Sequence, residues 1–211
     1  MDSKALFKIG YGLYVLTAGA NEEDVKNGTF NVKDNGCIIN TVMQVTSDPS
    51  RIAIAVNKLN YTNKMIHKNK KFNISVLSEN TKFDIFKQFG FQSGAKVNKF
   101  DNFLDVKRSP NGLLYITKDT NAFMSAYVKQ EIDLDTHTMF IAQLVEAQVL
   151  SDVPTVSYDY YQKNIKPKPQ ETKKSGWRCK ICGYVYEGEN LPSDFICPWC
   201  KHGVEDFEKI L

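Results

Sequence analysis

Long apolar runs are missing from this 211-residue sequence. No stretch approaches the roughly 20 consecutive apolar residues that a spanning helix needs. A dominant charge is missing as well. The formal net charge is +3, from 27 basic and 24 acidic residues, too small a bias to imply nucleic acid or a membrane surface as partner. There is no collagen-like period and no disordered majority. Residues Met1–Ala20 lack the unbroken apolar centre of a secretory signal, because Lys8 cuts the run and Gly10, Tyr11, Gly12 and Tyr14 dilute it. The expectation is a cytoplasmic chain with neither a membrane nor a nucleic-acid partner.

What is present is ordinary globular material, 42% hydrophobic and 24% charged, enough for one large domain plus a small module. Cysteine is scarce and unevenly placed. Of five cysteines, Cys37 stands alone, and Cys179, Cys182, Cys197 and Cys200 fall within the last 33 residues as two Cys-x-x-Cys pairs. In a reducing compartment that pattern points to a metal rather than to disulfides.

Composition divides the chain near residue 163. Lys163–Ser175 carries five lysines, one glutamate and two prolines, with no apolar residue beyond Ile165. Such a segment cannot bury enough surface to order itself and reads as an extended linker. The expected parts are a first domain over 1–162, a linker over 163–175 and a small module over 176–211. The linker is +4, the module −2 and the first domain close to neutral.

Strand signals dominate the first domain. Tyr11–Ala18, Cys37–Val42, Ile52–Val56, Phe72–Leu77, Leu113–Ile116, Ala122–Ile132 and Met139–Leu150 are rich in β-branched and aromatic residues. Two helices are expected. One starts near Asn60–Thr62 and turns Met65 and Ile66 inward. The other runs over Thr81–Phe89, with Phe83, Phe86 and Phe89 at helical spacing and Thr81/Asp84 as a capping box. Many strands and few helices predict a mainly β protein built on a barrel.

In the module, Cys179-x-x-Cys182 and Cys197-x-x-Cys200 are separated by 14 residues, and each pair can place two thiolates about one ion. Thirty-six residues are too few for an adequate apolar core, so ligation would supply much of the folding free energy. Tetrahedral sulfur ligation serves zinc and iron alike. The pattern Cys-x-x-Cys-Gly-Tyr-x-Tyr, then Leu191-Pro192-Ser193-Asp194-Phe195-Ile196-Cys197-Pro198-x-Cys200 and Asp206-Phe207, resembles rubredoxin. That resemblance implies a mononuclear Fe(SCys)4 centre for one-electron transfer. The intervening loop is shorter than in free-standing rubredoxins, and Lys201 occupies the position usually held by glycine. Tyr184, Tyr186, Phe195, Trp199 and Phe207 can form an aromatic cluster shielding the sulfurs. The other reading is a zinc ribbon, which the acidic module disfavours as a nucleic-acid binder.

Residues Gly36–Ile66 resemble the flavin reductase-like, FMN-binding split-barrel family. The features are Asn40-Thr41 in an apolar strand, Thr46-Ser47-Asp48-Pro49, the strand Ile52–Val56, and Asn57-Lys58 followed by Tyr61-Thr62 and Ile66. Phe91-Gln92-Ser93-Gly94 and Lys99-Phe100 match a further segment. A phosphate needs amides and a positive field, which the helix start after Asn60, the Thr62 hydroxyl and Lys58 can supply. The isoalloxazine edge needs donors and acceptors, for which Asn40, Thr41, Gln44, Thr46 and Ser47 are candidates, with Asn57 between the two regions. His137 lies where the family often has Gly-Asp-His and is a candidate nicotinamide contact, although Asp135-Thr136 departs from that pattern. Taken singly, Thr62 or Asn60 reads equally as a helix cap and Lys58 as a surface lysine.

Both parts together resemble the high molecular weight rubredoxins. The resemblance implies electron flow from NAD(P)H through FMN and iron to a redox partner, a flavodiiron protein, in a homodimer. Two alternatives remain: a pure electron carrier that ignores NAD(P)H, and a zinc-containing binding module.

Overall fold

In the computed structural model the described residues are 5, 8–167, 176–180, 183–198 and 202–210. They fall into two compact units, Met1–Lys166 and Pro167–Leu211. The first unit thus reaches four residues beyond the expected boundary. Tyr161–Ile165 form a π-helical turn, and Ile165 packs against a buried cluster containing Leu13, Phe86 and Tyr161. A lone isoleucine in a lysine-rich stretch has found an apolar surface to cover. The rest of the expected linker, residues 168–175, lies outside the described residues.

The larger unit is an antiparallel sheet. Its strands are β1 (Tyr14–Gly19), β2 (Asp34–Ile39), β3 (Val42–Ser47), β4 (Ser50–Asn57), β5 (Lys71–Leu77), β6 (Val106–Arg108), β7 (Leu114–Ile116), β8 (Thr120–Leu134) and β9 (His137–Val149). Seven of them form one sheet in the order β2-β1-β5-β8-β9-β4-β3, and β6 and β7 pair separately. The two edge strands, β2 and β3, are joined only by Asn40-Thr41. Seven strands laid flat would span about 29 Å at ~4.8 Å per step, whereas three residue steps reach at most about 11 Å. The sheet must therefore curl until its edges approach, which is a split barrel. The single strand expected over Cys37–Val42 is consequently two strands, broken at Asn40-Thr41 where the chain passes from one edge to the other.

The barrel interior is closed by Leu16, Ile54, Val56, Phe72, Ile74 and Phe140, together with Met65 and Ile66 of helix α2 (Tyr61–Asn69). A short helix α1 (Glu22–Lys26), not expected from the pattern, precedes β2. Strand β1 is buried on both faces. Leu16 points into the barrel, while Val15 meets helix α3 (Phe83–Gly90) through Phe86 and Phe89. The capping box at α3 does not form. Lys82 is the N-cap, and the Thr81 hydroxyl instead donates to the carbonyl oxygens of Ser78 and Asp119, because Thr81 is buried against that turn. No helix among the described residues is long and apolar enough to cross a membrane.

The smaller unit has a three-stranded sheet, β11 (Val185–Tyr186), β10 (Gly176–Cys179) and β12 (Phe207–Ile210), with β10 central. Its buried cluster among the described residues is Cys179, Cys197 and Phe207.

Candidate functional sites

In the barrel, the ladder register places the candidate residues in rows. Ala55 of β4 pairs with Met139 of β9, and Asn57 pairs with His137. Residues two apart on a strand share a face and lie about 7 Å apart, so these are successive rows on one outer face. Across β4, the Thr41 hydroxyl donates to the Ala55 carbonyl at 2.6 Å and accepts the Ala55 N–H at 3.2 Å. A groove of about 340 Å³ opens over the first row, walled by Tyr11, Asn40, Thr41, Met43 and Met139. Its size falls in the range of small-molecule sites. An apolar floor with polar groups at the edge fits a flat heteroaromatic ring.

The other candidates divide around this groove. Gln44, Thr46 and Ser47 run along β3, which is exposed beyond Val42. The Thr46 hydroxyl donates to the Pro49 carbonyl at 2.5 Å within the hairpin turn. Asn57 lies in the next row, where its Oδ1 accepts the Leu59 N–H at 2.8 Å, and Lys58 follows just beyond the end of β4. The Lys58 ammonium is paired with both carboxylate oxygens of Asp133 at 2.7 Å. Burial moves the His137 imidazole below its usual pKa, favouring the neutral ring, and its Nδ1 lies 2.9 Å from the Thr136 hydroxyl.

Thr62 does not face the groove. It is buried and its hydroxyl accepts from Asn35 Nδ2 at 2.8 Å. What the start of α2 offers an anion is the backbone N–H groups of its first two residues, since Asn60 makes no side-chain cap and the Asn63 N–H already donates to the Asn60 carbonyl at 3.0 Å. Asn35, absent from the sequence-based expectation, is 1% exposed and its Oδ1 has no hydrogen-bond partner. An amide can be turned end for end, so Asn35 can present either an acceptor or a donor beside the start of α2. Gly94 lies against it, so closely that a Cβ at that position would collide with Asn35 Oδ1. An orphaned amide at a helix start fits a phosphate-bearing ligand. Nothing in Asp34-Asn35-Gly36 as a sequence distinguishes this asparagine. Nearby, the buried Lys99 ammonium donates to the carbonyls of Gly36 and Phe89 at 2.8 and 2.9 Å. Burial also raises the pKa of the Cys37 thiol, which stays protonated.

In the tail, Cys179 and Cys197 are 1% and 0% exposed and belong to one cluster. Cys182 and Cys200, with Trp199 and Lys201, lie outside the described residues. Gly183, at φ +79°, donates its N–H to the Cys179 carbonyl at 2.8 Å, and the Cys179 N–H donates to the Tyr184 carbonyl at 2.8 Å. Positive φ suits glycine. The Cys197 N–H donates to the His202 carbonyl at 2.8 Å. Phe195 contacts Tyr186 and Phe207 at ring-centroid distances of 4.9 and 5.5 Å, and Tyr184 at 6.3 Å. Trp177, not among the expected aromatics, packs on the same cluster. Two buried cysteines in one cluster under an aromatic cover offer half the donor set of a tetrathiolate metal centre.

A split barrel with a small-molecule groove, joined to a small unit with buried cysteines in its core, is the architecture of a two-part redox protein. Comparison with known proteins makes the assignment specific. Residues 6–168 match the flavin reductase like domain, and residues 177–208 match the rubrerythrin, rubredoxin-like domain. The high molecular weight rubredoxin of Moorella thermoacetica is 35% identical over a 240-residue alignment covering all of both chains. The ferric-chelate reductase (NAD(P)H) of Archaeoglobus fulgidus is 34% identical over 82% of this chain and 95% of its own. The NADH:FAD oxidoreductase SgcE6 of Streptomyces globisporus superposes with a TM-score of 0.57 at 19% identity, over 69% of this chain and 79% of that one. That last likeness is one of fold. The chain belongs to the flavin reductase like family, in the two-domain form of the high molecular weight rubredoxins. Flavin and iron are its cofactor classes, and a rubredoxin-type carrier works with a redox partner.

Proposed function

We propose that this chain carries electrons from NAD(P)H, by way of FMN in the barrel and a mononuclear Fe(SCys)4 centre in the tail, to a flavodiiron protein that reduces oxygen or nitric oxide. FMN supplies the exchange between two-electron and one-electron transfer, and an iron tetrathiolate takes electrons singly. The observation that carries the reading is the shared face of Ala55–Met139 and Asn57–His137. It sets a ring groove beside a row of hydrogen-bonding side chains. Asn40, with the backbone of Thr41, borders the ring's polar edge, and Thr46 extends that edge along β3, where Gln44 and Ser47, turned to the other face by the register, offer their backbone groups. Asn57, Lys58 and the first N–H groups of α2 offer donors and positive potential to the phosphate. Thr62 contributes through its backbone, since its hydroxyl is engaged by Asn35. A neutral His137 at the next row borders the approach of the nicotinamide. Cys179, Cys182, Cys197 and Cys200 hold the iron.

The same outer face supports a homodimer. Met43, Tyr127 and Leu134 are 60%, 40% and 40% exposed there, alongside half-buried Ile132 and Ile141. A second copy would remove this apolar area from water. The direct test of the function is an anaerobic titration of purified full-length protein with NADH and with NADPH. Flavin and ferric-thiolate absorption, both bleached by one of the nucleotides, is the expected result. Bleaching by neither leaves a pure carrier, and zinc in place of iron removes the relay.

A further inference from the structure

The hairpin that joins β8 to β9 brings Asp133 against Lys58. Both carboxylate oxygens of Asp133 lie 2.7 Å from Lys58 Nζ. Asp133 Oδ1 also accepts the N–H of Asp135 at 2.9 Å within the turn. The backbone N–H of Lys58 donates to the Thr136 carbonyl at 3.0 Å. The carboxylate and the lysine backbone are therefore pinned to the same turn, and only the lysine's four-carbon stem can swing. Lys58 precedes the start of α2 by three residues, and α2 begins without a side-chain cap. At that start lies the buried Asn35 amide with its unpartnered oxygen. The Lys58 hydrogen bond, and then the Asp135 N–H, hold the Asp133 carboxyl below its ordinary pKa, so it stays anionic near neutral pH.

We propose that Asp133 is a specificity-determining residue that competes with the flavin phosphate for the Lys58 ammonium. It thereby sets how strongly the barrel prefers FMN over uncharged riboflavin. This rests on the reading of the barrel as an FMN site. The Lys58–Asp133 pair is solvent-exposed, at 38% and 74% of the side chains, and opening such a pair costs little. An arriving phosphate displaces the carboxylate, and the lysine turns from Asp133 to the ligand. Riboflavin brings no anion and leaves the pair closed.

The test is a binding titration of the full chain, freed of flavin, with FMN and with riboflavin. Asp133→Asn keeps an oxygen for the Asp135 N–H and removes the charge. It is expected to tighten FMN binding by about 1.5- to 5-fold, the range for an exposed ion pair, and to leave riboflavin binding unchanged. Lys58→Gln is expected to weaken FMN alone, and in the double variant the Asp133→Asn effect should vanish. Equal shifts for the two flavins, or no gain for FMN, would mean that Asp133 only shapes the turn and would overturn the proposal while leaving the FMN site intact. A wild-type chain that binds neither flavin overturns the FMN reading and this proposal together.

Discussion

The barrel and the tail reach a folded state by different means. In the barrel, one apolar cluster runs continuously from Leu16 on β1 to Ala142 on β9, with Phe72, Ile74, Met65 and Phe140 fully enclosed. Burying each such side chain contributes about 1.5–3 kcal/mol, so the fold stands on area removed from water. In the tail, two of the three buried cluster residues among those described are cysteines. There the same thiols that would hold the metal are also the core. On that ground the barrel is expected to bind or release a flavin ring without losing its fold, whereas in the tail ligation and folding would be one event.

Removing a thiolate is the strongest way to break this contrast. Cys179→Ser should abolish the ferric-thiolate absorption and unfold the tail, seen as loss of its amide protection from hydrogen exchange. The barrel's own protection should stay as it was. If the tail's protection survived loss of the metal, its few apolar contacts would be sufficient and the contrast would fail. Next in size is Phe72→Ala. This fully buried ring lies in the barrel cluster, and its loss should cost about 3–5 kcal/mol in denaturant unfolding of the barrel. The iron spectrum of the tail should not change, and a coupled loss of both would show that the units do not fold separately.

The smallest effect sharpens the comparison at a single group. Burial depresses the pKa of His137 in the folded barrel, whereas an unfolded histidine titrates near 6.5. The associated stability is complete above about pH 6.5 and is lost as pH falls from there through the folded-state value. An NMR titration of the His137 ring should give a midpoint below that of a free histidine. A midpoint at that value would place the ring in bulk solvent and one above it beside a negative charge, and either would contradict a neutral, partly buried imidazole at the site.

Much of this architecture is legible in the order of the residues. The two Cys-x-x-Cys pairs, the aromatic residues around them and the runs of Val, Ile and Phe announce a metal module and a β barrel. Ile52–Val56 can be read as a buried strand because every residue in it is apolar. Thr62 is half legible: its place at the start of α2 follows from the pattern, its inward-turned hydroxyl does not. The break at Asn40-Thr41, the burial of Asn35 and the pairing of Lys58 with Asp133 leave no mark in the sequence. The partners in the last two cases are 27 and 75 residues apart, and such pairings depend on how strands align.

The sequence by itself determined the mainly β character and the division into two units, because residue propensity and apolar content are local quantities. Tertiary structure alone decided which polar side chains share the groove face. A strand's alternation fixes only two faces. Whether His137 stands beside Asn57, and whether Thr62 looks outward or in, depends on ladder register and on the curl that brings the edges β2 and β3 together.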